Sequence, residues 1–205
     1  MRQGNKEAAM AALRTKCKSL VAEVYSASGK VVVFGEGNLD ASVVLVGEAP
    51  GEQETLQGKP FVGKAGKNLD AFLEKLSLKR EDIYITNVVK FRPVKVHPRT
   101  GSLSNRPPSR EEIGLCFAFL LGELEIIQPK VVVTLGNVAL KAVADDGRAV
   151  IGAWHGKPVE LEVHKLKFTI FPLYHPASII YNRDLGDTYD EDLVALRRYL
   201  EAPVL

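Results

Sequence analysis

Apolar residues along this chain fall into two alternating patterns: short unbroken runs, and longer stretches with apolar positions three or four residues apart. The runs are Val43–Gly47, Ile83–Val89, Val131–Leu135 and Phe168–Leu173, all rich in β-branched or aromatic residues. An apolar run of this length with no polar alternation predicts a strand buried on both faces, as in a parallel sheet. Val31–Phe34 is shorter and reads as a strand or an extended segment. Helical periodicity covers Asn5–Val24, with Ala8, Ala11, Leu13, Leu20 and Val24 among its apolar positions. It returns over Ala65–Leu76, from Ser109 to about Ile127, over Val138–Ala144 and over Asp190–Leu200. Ser109 and Glu112 are spaced as a capping box, and Pro129 stops the helix they open. Strands alternating with helices predict one three-layer α/β/α domain over residues 1–205, with residues 1–30 as an N-terminal helical segment. Its central sheet is expected to be mostly parallel and of about four strands.

Parallel strands bring their carboxyl ends to one edge, where open α/β sheets bind ligands. Four polar features leave the strands at that edge: Glu48 in Gly47-Glu48-Ala49-Pro50-Gly51, then Asn87, Gly136-Asn137 and His175. The helix after Gly136-Asn137 offers free N–H groups to a phosphate. Glu52–Gly63 reads as a loop, and Phe61 within it is either a plug that folds the loop onto the core or a platform for a flat ligand. Phe91–Pro108 holds Pro93, Pro98, Pro107 and Pro108 and reads as irregular. It also carries Arg92, Lys95, Arg99 and Arg106, with Lys90 and Arg110 at its flanks. It is either a solvated loop or one that grips a nucleic-acid backbone by neutralising phosphates.

Composition narrows this picture only slightly. A net charge of +2 does not announce a nucleic-acid partner, and 46% hydrophobic with 25% charged residues is typical of a soluble globular protein. No apolar run approaches the roughly 20 residues needed to span a bilayer. Met1–Glu7 lacks the apolar core of a signal peptide, so a cytoplasmic location without membrane partners is expected. Cys17 and Cys116 form no CxxC pair and read as reduced structural thiols. The absence of a GxGxxG or Walker pattern sets aside a nucleotide-binding protein.

Taken together, Gly47-Glu48-Ala49-Pro50-Gly51, Gly58-Lys59-Pro60-Phe61-Val62-Gly63-Lys64-Ala65-Gly66, Thr86-Asn87-Val88-Val89-Lys90 and His175-Pro176-Ala177-Ser178 resemble the uracil-DNA glycosylase superfamily. The likeness is greatest to family 4, its iron–sulfur branch, and runs from about Gly35 to Leu200. The resemblance implies an enzyme that flips uracil out of single- or double-stranded DNA and hydrolyses its glycosidic bond, leaving an abasic site. It implies that Phe61 stacks on the flipped base, Asn87 reads its edge, and His175 donates to uracil O2 as the base leaves. Gly47 and Glu48 would line the uracil pocket. Where other branches carry a water-activating Asp this chain has Ala49, and Glu54 is the expected water-positioning carboxylate, ahead of Glu48 and Glu52. Gly51 stands where other branches place a Tyr against the thymine methyl.

For DNA contacts, the resemblance and the basic stretch together nominate Gly136, Asn137, Ser178, Arg92, Lys95 and Arg106. Ile179, Ile180 or Tyr181 would either wedge into the duplex or pack within a helix. Two departures from family 4 follow. Its [4Fe–4S] cluster uses four cysteines, of which Cys17 and Cys116 match the first and last; Leu20 and Phe91 stand at the other two positions. No cluster or other metal is therefore expected, with Leu20 and Phe91 packing locally instead. The basic stretch is also longer than in family 4 and resembles that of a branch that traps uracil on a loop His. Asn105 falls at the place of that His, with His97 eight residues earlier, so no covalent trapping is expected. The rival reading is a non-catalytic DNA-binding or polymerase-associated protein on the same fold, against which the retained Phe61, Asn87 and His175 argue. A monomer is expected.

Overall fold

The unbroken apolar runs become the middle of a twisted sheet. The computed structural model describes residues 3–176, 178 and 183–202. In chain order the strands are β1 (Glu36–Gly37), β2 (Val43–Gly47), β3 (Tyr84–Asn87), β4 (Val94–Val96), β5 (Leu103–Asn105), β6 (Val131–Leu135), β7 (Val159–Val163) and β8 (Leu166–Leu173). The helices are α1 (Gln3–Val24), α2 (Glu52–Gln57), α3 (Gly63–Lys75), α4 (Arg110–Ile127), α5 (Gly136–Val143), α6 (Ile151–Trp154) and α7 (Gly186–Glu201). The main sheet has the order β1-β3-β2-β6-β8-β7. Its inner four strands are parallel, and β1 and β7 pair antiparallel at the edges.

Alternation along β2 shows why the runs carry no polar residue. Val44 and Val46 enter a core packed by α1, α4 and α5, whereas Val43 and Leu45 enter one packed by α3 and α7. Each face of the sheet is covered, so each position is buried. The chain leaves β2 through α3 on one face and leaves β3 through α4 on the other, which opens a crevice beyond the strand ends. Among the described residues no helix is long and apolar enough to cross a membrane.

Several expectations need correction. The sheet has six strands rather than about four. β1 contributes two exposed residues, and β7 (Val-Glu-Leu-Glu-Val) alternates as a half-covered edge strand does. Val31–Phe34 lies outside the sheet, with Val33 N donating to Lys90 O, just beyond β3, at 2.7 Å. Residues within Glu52–Gly63 form α2, whose only bulky apolar residue, Leu56, is exposed, so no periodicity betrays it. The basic stretch is not irregular: β4 and β5 form a separate antiparallel hairpin, with Pro93, Pro98 and Pro107 all outside the ladder. In α1 the buried positions are Lys6, Met10, Cys17 and Val21, with Leu13 and Leu20 half-buried, while Ala8, Ala11 and Val24 face solvent. The capping box of α4 is present, Glu112 N donating to Ser109 Oγ at 3.2 Å and Ser109 N to Glu112 Oε2 at 2.9 Å.

Candidate active site

Register brings the polar strand ends together. Gly47 pairs with Asn87 across β2 and β3, and Leu135 with Leu173 across β6 and β8, so residues 47–48, 87, 136–137 and 175 share one edge. Beyond the ladder, Val88 N and Val89 N donate to Gly47 O and Glu48 O at 2.9 and 3.0 Å, which extends the pairing into the turn. A cavity of about 390 Å³ opens there, with Glu48, Glu54, Phe61, Asn87, Asn105 and His175 in its wall. That volume is typical of a site that takes a small flat ligand.

Three side chains converge on the cavity. The rings of Phe61 and His175 lie nearly parallel, 21° apart with centroids at 6.4 Å. Phe61 takes a left-handed backbone angle, φ 51°, which is uncommon for a bulky residue and has to be held by its surroundings. Arg80 holds it: its guanidinium donates to Phe61 O at 2.9 Å and Gly66 O at 3.1 Å, while Asp70 accepts from its Nε at 2.7 Å. Phe61 is thus both plug and cavity wall, buried in the α3/α7 core yet lining the opening. A Cβ at Gly47 would lie 2.5 Å from Asn87 Oδ1 and 2.6 Å from Phe61 Cζ. Glycine is required there because the Asn87 amide and the Phe61 ring close over the bare backbone.

The carboxylates differ. Glu54 is buried and fully braced, Oε2 accepting from Gly51 N at 3.1 Å and Oε1 from Val62 N at 3.0 Å. It caps α2 and pins the Phe61 loop to the turn after β2. Glu48 is half-buried, with no hydrogen bond to its carboxylate among the described residues, and burial raises its pKa above the ordinary 4.5. Burial lowers the pKa of His175 below the ordinary 6.5, so the imidazole is neutral at pH 7. Gly51 leaves the cavity wall bare, and a Cβ there would meet Glu54 Oε2 at 2.7 Å.

The remaining nominated residues divide into two groups. Gly136 opens α5 without a side-chain cap, and its backbone, at φ 86°, leaves room for His175 Cβ. Asn137 uses its side chain internally, Oδ1 accepting from Ile151 N at 2.9 Å. Ser178 N donates to His175 O at 2.8 Å. Arg92 and Arg106 are committed to the protein. Arg92 donates to Asn105 Oδ1 at 2.7 Å and Glu52 Oε1 at 3.1 Å, and Arg106 forks onto Glu112 at 2.6 and 2.8 Å. Lys95 is exposed on β4. His97 lies in the hairpin turn, its Nδ1 accepting from Thr100 N at 3.3 Å, and Asn105 lines the cavity in place of a His. Ile179, Ile180 and Tyr181 lie outside the described residues. Sequence reasoning missed Arg80 as part of the site, since it sits in no pattern that announces it; from the sequence alone Asn105 stands at the loop His position but has no role.

The corner near Cys17 and Cys116 does not fit a four-thiolate cluster. Both thiols are buried, and burial followed by the neighbouring Cys116 pushes Cys17 up to about 12, the opposite of a metal-ready thiolate. Phe91 is fully buried with the Tyr25 ring edge-on at 5.0 Å and Lys30 Nζ at 4.1 Å from its centroid, and Leu20 packs into the same core. Among the described residues no group of three His, Cys, Asp or Glu side chains is placed to hold a metal.

Residues 34–200 match the sequence profile of the "Uracil DNA glycosylase superfamily". A type-4 uracil-DNA glycosylase of Thermotoga maritima is 43% identical over 152 residues, 74% of this chain and 73% of its own. Those of Archaeoglobus fulgidus and Saccharolobus solfataricus are 41% and 37% identical, covering 78% and 84% of this chain and 77% and 78% of theirs.

Proposed function

The chain belongs to the uracil DNA glycosylase superfamily, and from that premise we propose that its cavity takes a uracil flipped out of DNA and cleaves the base from its sugar. The protein is a DNA glycosylase: a hydrolase that breaks the C1′–N1 bond and leaves an abasic site. The observation that carries the reading is the closure of Asn87 Oδ1 and the Phe61 ring over Gly47, with the His175 ring opposite Phe61. The ring, the amide and the imidazole line one cavity. In it Phe61 stacks on the pyrimidine, and Asn87 Oδ1 accepts from uracil N3–H while its amide donates to O4. Cytosine presents the reverse pattern and leaves the amide mispaired.

As the bond to C1′ lengthens, negative charge collects on uracil O2. Neutral His175 donates an N–H there, a preorganised donor where charge develops. Positive charge on the sugar faces Glu48, whose unpartnered oxygens also hold the attacking water. Glu54, the carboxylate expected from the sequence, has each oxygen on a backbone N–H, and acts as the brace that keeps Phe61 in place. Backbone amides at Gly136, Asn137 and Ser178, together with Lys95, position the phosphates; Arg92 and Arg106 act by holding the hairpin. No step runs through a cluster. The protein works as a single-domain cytoplasmic monomer on single- or double-stranded DNA. A non-catalytic DNA-binding role is disfavoured, since it would need none of the base-shaped geometry.

Alkali cleavage of uracil-containing oligonucleotides tests this reading. Wild type should release product, His175→Ala should lose about 10²- to 10³-fold in kcat, and Asn87→Ala should lose discrimination against cytosine. Absence of product on every uracil substrate would remove the enzyme reading.

A further inference from the structure

We propose that the β4–β5 hairpin carries an apolar contact for the DNA strand beside the extracted base, formed by Val96 and Leu103. Both are exposed, 61% and 54%, and they are direct cross-strand partners. Directly opposed residues point to the same face of a hairpin, as do residues two apart on one strand. Val96 and Leu103 therefore share a face with Val94 and Asn105, and Asn105 lines the base cavity. The apolar pair continues that wall outward. Two residues along a strand cover about 7 Å, which matches about two nucleotide steps of roughly 3.4 Å each.

Charge complementarity identifies the occupant. No Asp or Glu occurs between Asp82 and Glu111, while Lys95 and Arg99 stand exposed on the hairpin. Neither cation has an ion-pair partner among the described residues. An apolar pair framed by unpaired cations, beside a base-sized cavity, suits nucleotides whose phosphates meet Lys95 and Arg99 while base and sugar faces meet Val96 and Leu103. Aliphatic side chains serve in this way where a step of the stack is opened. The hairpin is fixed at its base rather than its tip: Arg106 joins Val94 O and Glu112, and Arg92 joins Asn105 and Glu52. The apolar pair is thereby held at a set distance from the cavity. The inference rests on DNA being the substrate, as proposed above, but not on catalysis.

Fluorescence anisotropy with a uracil-free single-stranded 20-mer, read across a salt series, tests it apart from the reaction. Val96→Ser/Leu103→Ser should weaken binding about tenfold at every salt concentration, with the slope of log K against log salt unchanged. Lys95→Ala/Arg99→Ala should instead reduce that slope by about 1.4. Val194→Ser, an equally exposed apolar change on α7, should do nothing. Unchanged affinity in the Val96/Leu103 variant overturns the proposal. So does a loss equal to that of the Val194 control, or a wild-type dimer that the variant abolishes, which would make the pair a contact between copies. Uracil release from a uracil-containing 20-mer of otherwise the same sequence separates the two readings: DNA binding that responds to the hairpin without any uracil release would sink the enzyme reading alone.

Discussion

At the scale of single residues, the roles proposed for Glu48 and His175 predict the pH behaviour. In the proposed mechanism the reactive form has Glu48 ionised and His175 neutral. Burial moves the two groups toward each other, Glu48 above 4.5 and His175 below 6.5. Both protonations that inactivate the site occur as pH falls, so activity should be lost toward acid. As pH falls, the log of kcat/KM should drop with a slope approaching two. Glu48→Gln should lower kcat about a hundredfold and reduce that limb to a slope of one, whereas a retained slope of two would assign the carboxylate elsewhere. The sequence made Asn87, Phe61 and His175 legible because each leaves a strand end or a Gly/Pro-framed turn. It ranked Glu54 ahead of Glu48 for the water, the reverse of the roles proposed from the geometry. Spacing alone cannot tell that Val62 N, eight residues on, comes back to claim one oxygen of Glu54.

At the scale of elements, the hairpin and α4 are joined through Glu112. Burial raises its pKa, but the Arg106 fork, the Ser109 N–H and Lys30 outweigh burial and hold the carboxyl at about 2. Since the folded pKa lies below the ordinary 4.5, this stability is present above that value and is lost as pH falls toward about 2. The shift corresponds to about 3 kcal/mol. Glu112→Gln should lower stability by up to that amount at pH 7 in urea titrations, and the difference from wild type should vanish near pH 2. The capping box could be read from Ser109 and Glu112, but its third partner could not, because Arg106 arrives from a hairpin hidden among prolines. The inner strands were legible because burial on both faces leaves no polar residue. β7 and α2 were not, being half-exposed elements whose patterns are short. The α1 face was misread for a further reason: Lys6 is buried through its Nζ, which donates to Leu39 O, Asp40 and Ile127 O, so the buried stripe includes a charge.

At the scale of the whole molecule, one buried ion pair ties sheet, helix and N-terminal segment together. Lys90 and Glu123 are fully buried. Lys90 Nζ donates to Thr86 Oγ1 and to Asn87 O at 2.7 Å each, and Glu123 accepts from Tyr84 OH at 3.0 Å and Gly35 N at 3.2 Å. Removing one partner strands the other charge, so Lys90→Met should cost about 3–5 kcal/mol. Lys90→Met/Glu123→Leu should recover much of this, measured by thermal and urea unfolding. A double variant as unstable as the single would mean that the remaining hydrogen bonds, not the charge, carry the effect. The neighbouring corner has a consequence of another kind. Where Leu20, Tyr25, Phe91 and Lys30 close the space beside Cys17 and Cys116, the joint is made of packed rings, aliphatic carbon, an ammonium and two buried thiols. A chelator should find no metal there to strip, and air, peroxide or ferricyanide should reach the two thiols slowly, because both are buried and burial raises their pKa. Amide exchange in α1 should be identical before and after such treatment, and a purified sample should be colourless and need no anaerobic handling. Stoichiometric iron or a cluster absorbance in anaerobically prepared protein would contradict this. A corner held by packing alone should therefore keep α1 docked under conditions that would dismantle a metal-held one.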